Sequence, residues 1–301
     1  MRGSTKALRA VMYAGVMVMS VRAWGVAPRA YVSVNGNDAN TCNVPTTPCR
    51  TFVGAISELT PGGEVIVLDS GTFGGGTITQ AVTINGPAGV AVLAATPLVI
   101  NAGVSDVVTL RGLTFVSPTP GSGTALTFSG GAGLNLENCI FHGWATGLNF
   151  AAPGKLNVTD TTVRDNGTYG MYLNASGLIQ ASFDRTRFLG NNYGLWVASG
   201  AKASMRGSVV SGNSIGIYTS SNDSSNPELT IEQTVVTNNS SWGIASTGGV
   251  LATTRVSNST VTNNGTGLFQ SGSGVLLSRV NNTVEGNSSD TSGSIGSFTA
   301  K

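Results

Sequence analysis

The sequence has few charged and few metal-binding side chains. Charged residues make up 10% of its 301 residues, and it contains only three cysteines and one histidine. A chain with so few basic residues carries no sign of a nucleic-acid-binding surface. We therefore predict no metal site, no cofactor and no nucleic-acid partner.

The sequence also lacks an apolar run long enough to cross a membrane, which takes about 20 residues. The apolar stretch Ala10–Ser20 follows a basic start and precedes Ala23-Trp24-Gly25, a small-x-small triplet. This order is typical of a secretory signal peptide over residues 1–25. Its removal changes the formal net charge from +2 to −2, because four basic residues leave with it. We expect a secreted protein, extracellular, cell-surface or periplasmic, that begins near Val26 and has no stable membrane insertion.

What the sequence does contain is a repeat. The stretch Val256-Ser-Asn-Ser-Thr-Val-Thr-Asn-Asn-Gly-Thr-Gly-Leu268 recurs with small changes through the second half of the chain. The glycine anchors of the copies lie 22 to 27 residues apart, at Gly147, Gly170, Gly194, Gly216, Gly243 and Gly267. A period of this length is typical of stacked supersecondary units, none of which can bury its own apolar face.

Within each copy, short runs of alternating apolar and polar residues are broken by Asn and Gly. This pattern predicts short strands joined by tight turns, without room for a helix. Three such strands in about 23 residues form one coil of a right-handed parallel β-helix. We predict an all-β solenoid of about nine or ten coils over residues 26–290, followed by a Ser/Gly-rich tail over residues 291–301. From Ser288 on, we expect a loose end or a thin cap.

Stacking the copies predicts three inward-facing apolar columns. The first contains Leu110, Leu136, Val158, Phe183, Met205, Ile231 and Val256. The second contains Phe115, Phe141, Val163, Phe188, Val210, Val236, Val261 and Val284. The third contains Leu126, Leu148, Met171, Leu195, Ile217, Ile244 and Leu268.

A column of asparagines accompanies the apolar ones. Its members are Asn166, Asn191, Asn213, Asn239, Asn264 and Asn287, and Trp144 takes this place in an earlier copy. Identical amides stacked at a turn can hydrogen-bond between coils, and asparagine tolerates left-handed backbone. We therefore predict an asparagine ladder whose members occupy a turn.

One segment, residues 50–59, has a helical pattern. The residues on its apolar face are Phe52, Ala55, Ile56 and Leu59. Pro61-Gly62-Gly63 is predicted to end the helix, and residues 64–69 to form the first strand. An open stack of strands exposes unpaired edges, so a short amphipathic helix covering the first coil is expected.

Cys42 and Cys49 lie in a loop rich in Pro and Thr. Two cysteines this close in an exported protein most often form a disulfide. A zinc site is the alternative, but it needs two further ligands, and only Cys139 and His142 remain. We predict the Cys42–Cys49 disulfide, with Cys139 as a buried core thiol.

Several segments resemble a known superfamily. They are Pro48-Cys-Arg-Thr-Phe-Val-Gly-Ala-Ile56, Pro61-Gly-Gly-Glu-Val-Ile-Val67, Gly71-Thr-Phe73, Ile84-Asn-Gly86 and Val107-Val-Thr-Leu-Arg-Gly-Leu-Thr-Phe115. Together with the Asn/Gly coils they resemble bacterial secreted parallel β-helix proteins of the pectate-lyase-like superfamily, most closely members without an assigned activity. The resemblance runs to about Asn287 and implies carbohydrate chemistry, since enzymes of this superfamily cleave or rearrange acidic polysaccharides.

The catalytic motifs of those enzymes do not follow. The calcium-binding carboxylate cluster of pectate lyases is absent, as are the Asn-Thr-Asp, Asp-Asp, Gly-His-Gly and Arg-Ile-Lys blocks of polygalacturonases. Fold alone does not supply an activity. Whether the chain is an enzyme stays open at this point, and the missing motifs favour a noncatalytic role.

Four titratable residues are candidates for catalysis: Asp160, Asp184, Asp165 and His142. Asp160 and Asp184 could flank one glycosidic bond at the separation of about 5 to 9 Å that a hydrolase needs. Arg185 lies one coil from Asp160, however, so ordinary ion pairs between neighbouring strands are the alternative. Arg111 likewise stacks on Glu137, and Asp184, Arg206 and Glu232 form an alternating outward column. His142 and Asp165 could make a small acid–base cluster, although a lone histidine beside Arg164 is more often a surface residue.

Aromatic residues recur at outward positions near the glycine anchor. Tyr172, Trp196 and Tyr218 follow the anchor, and Tyr169, Tyr193 and Trp242 precede it. We predict that they line one face, flanked by the polar residues Asn149, Thr219 and Ser220. Rows of exposed rings suit the flat faces of sugars. The alternative is that they only reinforce the sheet between coils, or lie beneath the C-terminal tail or another subunit.

Three functions are therefore considered. The first is noncatalytic binding of a polysaccharide or of the cell surface through the aromatic row. The second is a polysaccharide lyase or glycoside hydrolase with an unfamiliar site. The third is a purely structural module of the cell envelope.

Overall fold

The computed structural model describes residues 27–221, 225–248 and 252–299. The predicted signal peptide over residues 1–25 and its cleavage site lie outside these residues. Within the described ranges the chain winds into ten successive coils, each of which contributes one strand to each of three sheets. One of the sheets has an additional strand at each end, Ala27–Val32 and Ile295–Ser297. The predicted parallel β-solenoid is confirmed.

The three sheets are named here sheet I, sheet II and sheet III. The strands of sheet I are Ala27–Val32, Leu59–Val67, Val82–Asn85, Val107–Arg111, Gly133–Glu137, Gly154–Thr159, Ile179–Asp184, Ala201–Arg206, Glu228–Glu232, Thr253–Ser257, Val275–Ser278 and Ile295–Ser297. Those of sheet II are Gly71–Thr72, Val92–Ala94, Leu113–Val116, Ile140–His142, Thr162–Arg164, Arg187–Leu189, Val209–Ser211, Val235–Thr237, Thr260–Thr262 and Thr283–Val284. Those of sheet III are Gly76–Ile78, Leu98–Asn101, Thr124–Gly130, Thr146–Phe150, Tyr169–Leu173, Tyr193–Val197, Ile215–Ser221, Trp242–Gly248, Thr266–Gln270 and Ser289–Ser292.

The predicted inward columns have the predicted register. Each member of the first column pairs with the next in sheet I, as in Leu136 with Val158. The second column has the same register in sheet II, and the third in sheet III. All of these side chains are buried except Val284, which is partly exposed near the C-terminal edge. The apolar core therefore runs along the solenoid axis.

The asparagine ladder runs along one turn of the solenoid. In each step the backbone N–H and the Nδ2 group of one asparagine donate to Oδ1 of the next, at 2.8–3.1 Å. Trp144 begins the ladder by donating its backbone N–H to Oδ1 of Asn166. Asp290 ends it, because its Oδ1 accepts from both N and Nδ2 of Asn287 and offers no amide to continue. Buried amides are thus fully paired between coils.

The ladder asparagines do not adopt the left-handed backbone that the sequence suggested. The residue before each of them does, as in Asp165 (φ 55°), Asn238 (φ 56°) and Asn263 (φ 57°). In other coils this place is taken by glycine, for example Gly190 (φ 65°). The left-handed residue turns the chain so that the asparagine after it can point inward.

The N-terminal end is covered by a short helix, Phe52–Ser57, within the predicted range of residues 50–59. Thr51 caps it by accepting a hydrogen bond from the backbone N–H of Gly54 at 3.0 Å. The first strand is Ala27–Val32, however, and not residues 64–69 as predicted. The strand Leu59–Val67 contains the Pro-Gly-Gly triplet. Its register against Ala27–Val32 is irregular at this point, and the irregularity accommodates the triplet.

The Cys42–Cys49 disulfide is confirmed, with 5.2 Å between the Cα atoms. Both cysteines are buried, and their loop is tied to the first strand. The backbone N–H of Tyr31 donates to the carbonyl of Cys42 at 2.8 Å, and that of Cys49 donates to the carbonyl of Tyr31 at 2.8 Å. The loop therefore covers the first strand together with the helix.

The C-terminal end is a thin cap. Ser289–Ser292 pairs with Thr266–Gln270, and Ile295–Ser297 pairs with Val275–Ser278. The residues predicted as a tail therefore add strand to the stack, although their apolar columns are lost as expected. Most of these side chains are exposed.

The ladder predicts that replacing two adjacent asparagines changes the free energy of unfolding by very different amounts. Asn191 is buried and bonded to Asn166, Asn213 and the carbonyl of Val163. Asn191→Ala should lower the free energy of unfolding by about 3 kcal/mol, because it leaves buried donors and acceptors unpaired. The matched control Asn192→Ala alters an exposed side chain and should change it by less than about 0.5 kcal/mol. Urea denaturation followed by circular dichroism would measure both, and equal effects would contradict the ladder's role.

The burial of Cys139 predicts that its thiol does not react in the folded protein. Cys139 is buried, and burial raises the pKa of its thiol to about 12. Thiolate is the reactive form, so the folded protein should resist alkylation near neutral pH. Mass spectrometry should find one modified cysteine after denaturation without reductant, and three after reduction. Alkylation of Cys42 or Cys49 in the unreduced protein would contradict this assignment.

Candidate functional site

The predicted aromatic residues come together on the outer face of sheet III. Tyr172, Trp196 and Tyr218 pair in register through neighbouring strands. Tyr169 and Tyr193 form a second, parallel row. With Trp242 and Phe269, these seven residues span five strands and are called here the aromatic face. All seven are partly exposed.

The rings of the aromatic face contact one another. Trp196 lies at its centre, with ring centroids 5.0 Å from Tyr172, 5.2 Å from Tyr193 and 5.0 Å from Tyr218. Ala245 takes the place of a ring between Tyr218 and Phe269 in the row. Trp242 bridges this gap, because its ring stacks on Phe269 with centroids 4.2 Å apart and lies 6.3 Å from the ring of Tyr218. Such contacts stabilise the sheet by about 0.5–1.5 kcal/mol per pair and also leave ring surface open to solvent.

Two of the polar residues predicted to flank the face do not lie there as expected. Thr219 is fully buried because strand alternation turns it inward, away from its outward neighbour Tyr218. Ser220 is also buried, and its hydroxyl accepts a hydrogen bond from Trp196 Nε1 at 2.9 Å. Asn149 pairs with Tyr172 at the edge of the face and stays partly exposed.

The candidate carboxylates Asp160 and Asp184 share one guanidinium. Arg185 binds Asp160 through two hydrogen bonds of 2.7 and 2.9 Å, and it also contacts Asp184. The hydrogen bonds from Arg185 hold the pKa of Asp160 below its usual range. A general acid needs a raised pKa, so this pair has the electrostatics of an ion-pair cluster.

The backbone at these residues follows from the repeat. Asp160 and Arg185 adopt left-handed backbone, with φ of 50° and 48°. So do the equivalent residues of other coils, including Asn138, Gln233 and Asn258. Left-handed residues can mark functional strain, but here the conformation belongs to the turn between sheets I and II and recurs along the stack.

His142 and Asp165 are close, as the sequence suggested. Nδ1 of His142 lies 3.2 Å from Asp165 Oδ2 but makes no hydrogen bond. Arg164 contacts the same carboxylate oxygen at 2.9 Å. The cluster lies on the outer side of sheet II, on a different face from the rings.

The outer side of sheet I carries features that the sequence analysis missed or only partly foresaw. The predicted Arg111–Glu137 ion pair is present, with Arg111 Nε 2.7 Å from Glu137 Oε2. Arg206 is in register with Asp184 and Glu232 as predicted, but it donates to Gln233 instead. The ion pairs that Lys202 and Arg255 each form with Glu228 were missed. The hydrogen bonds from these two side chains lower the pKa of Glu228.

A shallow polar groove also lies on sheet I. Asn157 and Ser182 line it. They belong to a hydrogen-bonded row in which Asn157 donates to Asn135 at 2.9 Å and Ser182 donates to Asn157 at 2.8 Å. Lys155 and Lys202 stand at the side of the groove. Extending the coil alignment to outward positions of sheet I would have revealed this row.

The described residues offer no group of three or more histidine, cysteine or carboxylate side chains that could hold a metal ion. Over the same residues, no helix is long and apolar enough to cross a membrane.

Comparison with known proteins decides the family. The family model for the right-handed β-helix region matches residues 66–227 and 125–289. The chain belongs to this family. The right-handed parallel β-helix expected from the sequence is thereby confirmed. No curated protein matches the chain.

Two solved structures share the fold. One is a pectate lyase (Pel9A), with a TM-score of 0.55 and 16% identity over 92% of this chain and 80% of the other. The other is a rhamnogalacturonan lyase, with a TM-score of 0.53 and 11% identity over 83% of this chain and 82% of the other. At these identities the similarity concerns the β-helix fold, which this chain shares with polysaccharide-cleaving enzymes.

The ion-pair cluster makes a testable pH prediction. In the folded protein the pKa of Asp160 is depressed, so the pairing contributes stability above the ordinary pKa of 3.8 and loses it as pH falls through the lower folded value. Arg185→Ala should raise the pKa of Asp160 toward its ordinary value. NMR titration of aspartate carboxyl carbons would measure this shift.

Arg187→Ala provides the matched control. Arg187 is exposed and has no ion-pair partner among the residues that the structure describes. Its replacement should leave the titration of Asp160 unchanged. An unchanged titration in Arg185→Ala would contradict the proposed cause of the shift.

Proposed function

We propose that this protein is an exported, noncatalytic glycan-binding protein that contacts an extended polysaccharide through its aromatic face. The observation that carries the proposal is the unbroken set of seven partly exposed rings on sheet III. A soluble protein seldom leaves so many large rings on one surface without a partner.

The shape of the face suits a polymer. Equivalent residues of successive coils repeat at about 4.8 Å, so Tyr172, Trp196 and Tyr218 form a straight row. Apolar ring surface in a line can stack against several sugar rings of one extended chain. A compact ligand would be expected to use a concave pocket instead.

The charged candidates favour binding without turnover. Asp160 and Asp184 both contact Arg185, and Asp165 contacts Arg164. The hydrogen bonds from Arg185 lower the pKa of Asp160, which makes this carboxylate a poor general acid because its protonated form is disfavoured. The fold is shared with polysaccharide lyases, which supports a carbohydrate ligand but not a cleavage reaction.

Export is the other part of the proposal. The disulfide is compatible with an oxidising compartment, where such bonds persist. The signal-peptide pattern of residues 1–25 supports the same location. Sequencing of the N-terminus after export should find a start near Val26.

Replacement of the central ring tests the binding function. Trp196→Ala should raise Kd for a bound polysaccharide about fivefold, which corresponds to about 1 kcal/mol for one stacked ring. Trp196→Phe keeps an aromatic ring and should lose less. A polysaccharide panel read by affinity electrophoresis would supply the ligand and the Kd.

Controls separate binding from folding and from cleavage. Tyr31→Ala removes a partly exposed ring from sheet I and should leave Kd unchanged. Circular dichroism must show that Trp196→Ala keeps its fold; if it unfolds, the less central Tyr172→Ala replaces it. If the folded ring variants bind the polysaccharide as tightly as the parent, the aromatic face has only a structural role. Release of new reducing or unsaturated ends from the polysaccharide would favour an enzyme.

A further inference from the structure

Charge is unevenly divided between the faces of the solenoid. The five strands of the aromatic face contain no Asp, Glu, Lys, Arg or His. In the same five coils, every strand of sheet I carries at least one charged residue, for example Lys155, Asp184 and Arg255. The two faces of one coil therefore differ in charge, although they are separated by only a few residues of chain.

The charged residues nearest to the aromatic face in the sequence do not alter this division. Asp165 lies before Tyr169, and its carboxylate is already engaged by Arg164. Asp223 follows Ile215–Ser221 in the sequence and lies outside the described residues. Neither offers a cation to an acidic ligand.

An acidic polysaccharide would be a poor ligand for such a face. Each uronic-acid residue carries a carboxylate, and removing it from water beside apolar rings is costly unless a cation pairs with it. Arginine and lysine usually provide that pairing. The ion pairs of sheet I lie on another face, and charges more than about 8 Å away are largely screened at physiological salt.

A neutral polysaccharide can use the polar atoms that the face does offer. The hydroxyls of Tyr169, Tyr172 and Tyr193 have no hydrogen-bond partner among the described residues. Burial raises the pKa of Tyr172 and of Tyr193, so both phenols stay protonated and able to donate. Asn149 adds an uncharged amide at the edge. Stacking and uncharged hydrogen bonds are the interactions that sugar hydroxyls and ring faces complement.

We infer that the aromatic face selects an uncharged polysaccharide and discriminates against uronic-acid polymers. This inference rests on the proposed function, since it specifies the ligand class of the same face. It also separates this chain from the two lyases that share its fold, whose names refer to acidic pectic polymers.

The direct test compares neutral and acidic probes. Kd would be measured by affinity electrophoresis for soluble β-glucan, xylan and galactomannan, and for polygalacturonate as the acidic probe. The parent should bind at least one neutral polymer about tenfold more tightly than polygalacturonate. Its Kd should change by less than about twofold between about 0.05 M and about 0.5 M NaCl, because no ion pair forms.

A charge introduced on the face provides the matched comparison. Asn149→Lys places a cation beside Tyr172, and Asn149→Gln keeps the amide as its control. The lysine variant should gain a salt-sensitive affinity for polygalacturonate, whereas the glutamine variant, which adds no cation, should gain none. Trp196→Ala should weaken neutral binding in each background.

The outcomes separate the inference from the proposed function. Preferred binding of polygalacturonate that is lost in Trp196→Ala would overturn the inference and leave glycan binding by the face intact. No binding of any polymer, or neutral binding that survives loss of the rings, would overturn both. Neutral, salt-insensitive binding that depends on Trp196 supports both.

Discussion

Parallel hydrogen bonding between equivalent strands of successive coils is the interaction on which the rest of this structure depends. It fixes the register, so a residue type that recurs once per coil becomes a straight column about 4.8 Å apart. The apolar columns inside, the asparagine ladder at the turn and the rings outside all follow from that one constraint. A shift of one residue would turn every inward side chain outward.

The same constraint lets one coil present different chemistry on different faces. Sheet I has ion pairs and a hydrogen-bonded polar row, as in Lys202 with Glu228 and Asn157 with Asn135. The five strands of sheet III that form the aromatic face carry rings and no charged residue. In the turn between sheets I and II, Asp160 and Arg185 adopt the left-handed backbone that the repeat places there, and the carboxylate of Asp160 pairs with the guanidinium of Arg185. A binding surface can thus be built without disturbing the core.

Much of this could be predicted from the sequence because the repeat supplies the alignment. The inward columns, the ladder, the disulfide and the Arg111–Glu137 pair depend only on which residues share a coil position. The irregular start of Leu59–Val67 could not be predicted, since Pro-Gly-Gly is as common in turns as in a distorted strand edge. The prediction for Thr219 was wrong because successive side chains of a strand point to opposite faces. Tyr218 points outward, so Thr219 points inward.

The site was predictable in position but not in detail. Sequence position placed the rings on one face, but the tilt of Trp196, its bond to Ser220 and the bridging of Ala245 by Trp242 depend on side-chain packing. The absence of charge from the ring-bearing strands was visible in the sequence, yet it gained meaning only when the structure assigned those strands to one sheet.

A crystal structure with a neutral β-linked oligosaccharide would test the central claim most directly, because it locates the ligand without assuming which residues bind it. The account predicts sugar rings stacked along Tyr172, Trp196 and Tyr218, with hydroxyls near the tyrosine phenols and no cation in contact. An oligosaccharide bound instead in the polar groove of sheet I, beside Lys155 and Asn157, would contradict it.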